Sequence, residues 1–485
     1  MAADTIDLGL LRANAWCGDA PAEGDAGHNA GAWCLRSTMG HIKQPLAGYT
    51  ARIAPGLDRA DWANERVGWG VVLPDREDRT AAQKAAAIDA PEPVRRLIAA
   101  RFDAPVFYYR RDVGRYGRLQ RYFADGKSST LSASGTRGRH VPTAVPHYLL
   151  LVGTPDEIPW DFQYRLQCDA YVGRLDLAPD ALARYVDALL GEWADSPRDA
   201  GTPLLWSVDH GHPDITYLMR KAIAEKLHVA LLHAGCSAHL LTDGAARHAD
   251  LATALATRSP AFVLTTSHGA TFPLDDVAAL RAQLGLLVDR DHVPLDVSAL
   301  LDVWQPDGAI WYAHACCSAG ANRPSGFQGL VDADSSLGRM LAGVAAIGPC
   351  TAPLPTALLG AARPLGAFIG HVEPTFDWTL RQPDTGQRMT DSLILDTLFD
   401  ALHAQSRPPV GLAMDRYYDA VAGLLLDHGL AVQESNDHVP GARPRAMKAK
   451  LQAMDRLAMV VLGDPTVRLP AHGLPPLCST HRSQP

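Results

Sequence analysis

No apolar stretch of the roughly eighteen residues needed to cross a membrane occurs in this chain. The longest runs, such as Tyr148–Val152 and Trp311–Ala313, are only a few residues long. Basic residues are not in excess either: 45 Lys and Arg against 53 Asp and Glu leave a formal charge of −8. That balance argues against a chain built to neutralise nucleic-acid phosphates. Cysteine is sparse, with eight in 485 residues, at 17, 34, 168, 236, 316, 317, 350 and 478. No two have the Cys-x-x-Cys spacing of a structural zinc site or redox dithiol, and a disulfide scaffold is not expected. The opening MAADTIDLGL has no basic segment ahead of an apolar one. It does not read as a secretory signal, and a cytoplasmic location is the expectation.

What is present is globular in composition, 47% apolar and 20% charged. The length exceeds that of one ordinary domain. Residues 1–140 have an irregular texture and read as an accessory region. Within them Ala81–Ala100 looks helical but is broken by Pro91 and Pro93. The Gly-, Ser- and Thr-rich stretch Gly126–Gly138 reads as an exposed loop beside several arginines, a candidate for activating cleavage. From His147 the pattern changes. Short apolar runs at Tyr148–Val152, Leu204–Val208, Ala238–Leu241, Ala261–Thr265 and Ala309–Ala313 alternate with helical segments. This predicts an α/β fold, a mostly parallel sheet flanked by helices, with 141–200 and 201–470 as its two parts. A mostly helical C-terminal part and a tail from 471 to 485 follow.

Ligands of open parallel sheets bind beyond the carboxyl ends of the strands, and two such ends carry reactive groups. One is Phe262-Val-Leu-Thr-Thr-Ser-His268-Gly269; the other is Ile310-Trp-Tyr-Ala-His-Ala-Cys316-Cys317-Ser-Ala-Gly320. A thiol is weakly ionised near neutrality, and an imidazole beside it raises the thiolate population and supplies a proton to a leaving amine. Gly269 leaves its N–H open, so that with the N–H of the cysteine it can hold an oxyanion. Asp156 and Glu157, in the turn after Tyr148–Val152, are candidates to orient the histidine.

This pair of strand ends resembles the caspase-like cysteine peptidases, which include caspases, metacaspases, gingipains and bacterial CHAT-domain proteases. The gingipain-type branch is matched best. Leu149–Gly153, Asp156-Glu-Ile-Pro159 and Asp169-Ala-Tyr-Val-Gly-Arg174 look like its strand, Ile-Pro turn and Asp-containing stretch. Cys316, in Ala-Cys-x-x-x-Gly, is similar to the bacterial nucleophile motif. Val461-Leu-Gly-Asp-Pro-Thr-Val-Arg-Leu469 resembles the end of the catalytic domain. The resemblance covers roughly residues 145–470. It implies a cysteine endopeptidase that needs no cofactor, with Cys316 as nucleophile and Cys317, at Cys-x-x-Gly spacing, as the alternative. It also implies cleavage of a protein or peptide after a basic residue held by Asp169, or after an acidic one held by Arg174 or Arg323. Regulation by a partner protein or by cleavage, as in bacterial defence effectors, is implied as well.

Two other readings compete. Val208-Asp-His210-Gly-His212-Pro-Asp214 follows an apolar run, and the His-x-His pair, with His233, His268 or His314, could serve a metal-dependent hydrolase. A non-catalytic caspase-like scaffold is the third.

Overall fold

A short run such as Tyr148-Leu-Leu-Leu-Val152, apolar at every position, suits a strand buried on both faces. In the computed structural model, which describes residues 9–36, 56–380 and 392–473, such runs become strands, and more polar segments add others. In chain order they are β1 (Leu11–Trp16), β2 (Pro21–Gly24), β3 (Trp69–Pro74), β4 (Val106–Tyr109), β5 (Arg118–Tyr122) and β6 (Ser128–Ser132). Next come β7 (Tyr148–Val152), β8 (Tyr171–Leu175), β9 (Leu204–Ser207), β10 (His239–Leu241), β11 (Phe262–Thr266) and β12 (Gly269–Ala270). The last five are β13 (Ile310–His314), β14 (Gly320–Ala321), β15 (Cys350–Thr351), β16 (Ala367–His371) and β17 (Met459–Gly463).

Twelve of them form one sheet in the order β10-β9-β11-β13-β16-β17-β8-β7-β3-β4-β5-β6. From β10 to β16 the strands are parallel. β17 is antiparallel to β16 and parallel to β8, and β8, β7, β3 and β4 are parallel to one another. β17 therefore divides the sheet into two halves whose strands point opposite ways. The expected boundary near residue 140 falls between β6 and β7, both strands of this sheet, so residues 69–132 are part of it rather than a separate body.

Local structure follows the sequence with instructive differences. Ala81–Ala100 divides into the helices Ala81–Ala85 and Glu92–Ala100, the second starting from Pro91, where a missing N–H costs nothing. The stretch expected as a loop at Gly126–Gly138 is partly strand: β6 pairs with β5 at the edge of the sheet, eight strands removed from β13. Helices Asp415–Asn436 and Ala442–Leu457 form an antiparallel pair near the C-terminus. The 474–485 part of the predicted tail lies outside the described residues. No described helix is long and apolar enough to cross a membrane.

Candidate functional site

β11 and β13 are neighbours, parallel and in register from Phe262 opposite Ile310 to Thr266 opposite His314. His268 lies two residues beyond the end of β11, and Cys316 two residues beyond the end of β13. Equal extension along paired strands carries both to the same rim. Contact there is close: a Cβ on Gly269 would stand 2.0 Å from the Cys316 carbonyl oxygen, and one on Gly285 2.2 Å from that of Cys317. The cysteine turn is thus wedged between two main chains that only glycine lets approach.

That turn is tightly held. Cys317 has φ +55°, in the left-handed region disfavoured for a residue with a side chain. Its N–H donates to the Glu373 carbonyl at 3.4 Å, and the Ser318 hydroxyl donates to the Ala313 carbonyl at 3.2 Å. The two thiols are 3.5 Å apart. Burial raises the Cys316 thiol well above its ordinary pKa, and Cys317 adds to the effect.

The carboxylate on His268 is Asp214, whose Oδ2 is 2.9 Å from Nε2. Asp214 also caps the helix Ile215–Met219, accepting from the Thr216 N–H at 2.8 Å and from its hydroxyl. Burial opposes its ionisation, but the His268 contact and the Thr216 hydrogen bonds outweigh it and hold the carboxyl well below the usual range. An ionised Asp214 fixes the proton of His268 on Nε2. Nδ1 is left as an acceptor, buried and without a partner among the described residues. Such a nitrogen is equipped to take a proton from a thiol.

The other candidates are placed elsewhere. Asp156 is exposed in its turn. Glu157 accepts from the Thr154 N–H at 3.1 Å and pairs with Arg76 at 3.2 Å, at the opposite rim from His268. These two therefore do not orient the histidine. Asp169 reaches the same rim as the cysteines, at the start of β8, but β16 and β17 stand between. Burial raises its pKa and Arg137 partly offsets this. Arg174 is buried and donates to Gln163, the Gly153 carbonyl and the Ile158 carbonyl at 2.8, 3.1 and 2.6 Å, a set that ties β8 to the turn after β7. Arg323 is exposed.

His210 and His212 do not share a ligand position. His212 is exposed, while His210 stacks with His292 and His268, its ring centroid 4.2 and 5.7 Å from theirs. Among the described residues no group of three or more His, Cys, Asp or Glu side chains could hold a metal ion.

Solved structures similar to this chain include two gingipain structures. The Arg-specific cysteine proteinase gingipain R matches at 13% identity and a TM-score of 0.42, over 84% of this chain and 79% of that one. The complex of RgpB pro- and mature domains from Porphyromonas gingivalis matches at 13% identity and a TM-score of 0.40, over 84% and 80%. No protein-family model and no curated protein matches the sequence.

Sequence reasoning missed Asp214, although the segment containing it was singled out for its histidines. The signal was there: Pro-Asp-Ile-Thr after an apolar strand is a helix N-cap, and an N-cap at the end of the strand beside β11 faces the same rim. It also missed Glu373. Its carboxyl accepts from the Ser325 hydroxyl at 2.7 Å and the Gly326 N–H at 3.0 Å, and burial pushes its pKa up to about 7.

Proposed function

We propose that this chain is a cysteine endopeptidase of the caspase-like type, acting on an extended stretch of polypeptide. The observation that carries the reading is the Asp214–His268 pair, with Nδ1 unpartnered, at the rim where the adjacent strand delivers Cys316 and Cys317. In the reaction Nδ1 takes the thiol proton, the sulfur attacks the scissile carbonyl, and the tetrahedral oxyanion is held by the N–H groups of Gly269 and Cys316. The imidazolium then protonates the leaving amine, and water releases the acyl group from sulfur.

Cys316 remains the assigned nucleophile, from its Ala-Cys context and its contact with Gly269. The strained backbone of Cys317 is the observation that favours the alternative. Single Cys316→Ala and Cys317→Ala variants, assayed with a peptide library, decide between them. Loss of at least about 10⁴-fold in kcat/KM is expected for one and not the other. Undiminished hydrolysis in both would end the proposal, and a metal requirement would revive the hydrolase reading.

Preference for a basic P1 residue belongs to the same proposal and rests on the resemblance. The carboxylate to test for it is Glu373, whose backbone carbonyl holds the Cys317 N–H, rather than the remote Asp169. A P1 profile on Asp169→Ala and Glu373→Gln separates them. A cytoplasmic location and a dedicated protein partner, as in bacterial defence proteases, are the parts of the reading that fractionation and co-purification test.

A further inference from the structure

His268, Cys316 and Cys317 each have 0% of their surface exposed. Two surface cavities, of about 420 and 370 Å³, lie elsewhere, one between helices Asp415–Asn436 and Ala442–Leu457 and the other at the ends of β3, β7 and β8. A protease whose reacting atoms are sealed needs an explanation, and the cover is the chain's own N-terminal segment.

β1 pairs in parallel with β12, Ala15 opposite Gly269 and Trp16 opposite Ala270. The N–H and hydroxyl of Thr271 both donate to the Trp16 carbonyl at 3.0 Å. β2 flanks β1 on its other side, with a register shift between Arg12 and Trp16. Within that interval the Asn14 N–H donates to the Thr375 carbonyl at 3.0 Å, and Ala13 lies opposite Phe376. β1 is thus bonded by the segment after His268 and by the segment after β16, on the two sides of the cysteine turn. The Trp16 ring stands 6.0 Å from that of His268 and 4.0 Å from that of His292. Leu11, Ala13, Ala15, Trp33 and Cys34 share one apolar cluster with both reactive thiols. The helix Ala30–Leu35 anchors the far end: the Trp33 indole N–H donates to the Gly326 carbonyl at 3.0 Å, and Lys450 donates to the carbonyls of Trp33 and Arg36.

An extended peptide recognised by adding a strand is held mainly through its backbone. The backbone that follows His268 is already spoken for by Ala15 and Trp16. We propose that the segment Leu11–Leu35 is a built-in competitor, occupying the position of the polypeptide substrate and keeping the peptidase closed until it is displaced. This rests on the peptidase reading and adds its regulation. A tethered competitor acts at millimolar effective concentration, so even an intrinsic dissociation constant of about 1 μM suppresses the open form about a thousandfold. The buried, un-ionised Cys316 thiol is what such a closed state requires. Activating cleavage between residues 110 and 140 would fall at the far edge of the sheet, whereas displacement of β1 acts on the site itself.

The test uses the full chain and reads iodoacetamide labelling of Cys316 and Cys317 by peptide mass spectrometry. Ala15→Asp places an unpaired charge under the cover, where it is tolerated only if β1 leaves. Labelling and peptide hydrolysis should each rise at least about tenfold, and a synthetic peptide spanning Gly9–Arg36 should reverse both. Equal labelling of the variant and the wild type overturns the competitor. Faster labelling without hydrolysis keeps the cover and removes the peptidase reading. Full hydrolysis by the wild type, unchanged in the variant, does the reverse. Should Ala15→Asp fail to fold, native-state hydrogen exchange on the wild type decides. Amides of β1 must open before those of β13, and exchange of both only on global unfolding overturns the proposal.

Discussion

The two halves of the sheet are built alike and finished differently. On both sides of β17, apolar strands run parallel into polar turns. In the β7–β8 half the polar groups at those turns satisfy one another: Arg174 is consumed by two carbonyls and an amide, and Glu157 by Thr154 and Arg76. In the β11–β13 half, buried imidazoles are incompletely paired. His268 keeps one free ring nitrogen, and His371 has neither nitrogen bonded among the described residues. Burying a polar group without a partner costs stability. Where it persists beside a thiol, chemistry is the explanation to test first, whereas a satisfied guanidinium is explained by folding alone.

The sharpest way to break this contrast is at Asp214. Asp214→Asn keeps the shape but removes the charge that fixes the His268 proton on Nε2. A loss of about 10²–10⁴-fold in kcat/KM is expected in chain released from the N-terminal cover, with little change in Tm. An unaffected rate would put His268 on the same footing as Arg174.

Asp464 should give the converse result. It is fully buried at the end of β17, where it accepts from Arg101 at 3.1 Å, the Trp69 indole at 3.0 Å and the Thr466 N–H at 2.9 Å. Asp464→Ala leaves the Arg101 charge buried without its partner and is expected to cost about 3–5 kcal/mol of unfolding free energy. Denaturant titration measures it. The Leu-Gly-Asp-Pro-Thr ending is, on this view, a clamp between β17, β3 and the helix Glu92–Ala100 rather than part of the site.

Acid should weaken the site half ahead of the other. Burial holds His210 and His403 to about 4 and His314 to about 3, against an ordinary 6.5. They are neutral when folded and charged when unfolded, so the stability they contribute is complete above about 6.5 and drains away as pH falls through 4. Glu373 opposes this. Its raised pKa contributes stability below 4.5 that is lost as pH rises through about 7. His147, on the other half, is also held to about 4. Hydrogen exchange at pH 5 against pH 7 should therefore show larger loss of protection in β11, β13 and β16 than in β3 and β7. The smallest effect belongs to Glu157→Gln, an exposed pair worth less than about 1 kcal/mol, with no change in rate.

The strands that deliver the site were legible because a run apolar at every position has few uses besides a buried parallel strand. His268, Gly269, Cys316 and Cys317 were legible from their place just past two such runs. β1 was not, since Leu-Arg-Ala-Asn-Ala-Trp mixes polar and small residues and is buried only by what it covers. β16, Ala-Phe-Ile-Gly-His, is broken in its apolar run by Gly370 and ends in a histidine. The distances of Asp169 and Glu157 from His268 were hidden for one reason: the reversal at β17 joins segments nearly three hundred residues apart, and nothing local in the chain announces it. Asp214 needed the pairing of β9 with β11 before its cap could be seen to face His268.

Continuity of the sheet past residue 140 has a practical consequence for dissecting the molecule. Cutting there to isolate a minimal catalytic piece would strip β3 from β7 and uncover a flat ladder of unpaired amides along Tyr148–Val152, a strand with no charge, proline or bulge to guard it. Such a fragment should self-associate through that bared edge, and its insolubility would say nothing about whether the intact chain is a peptidase.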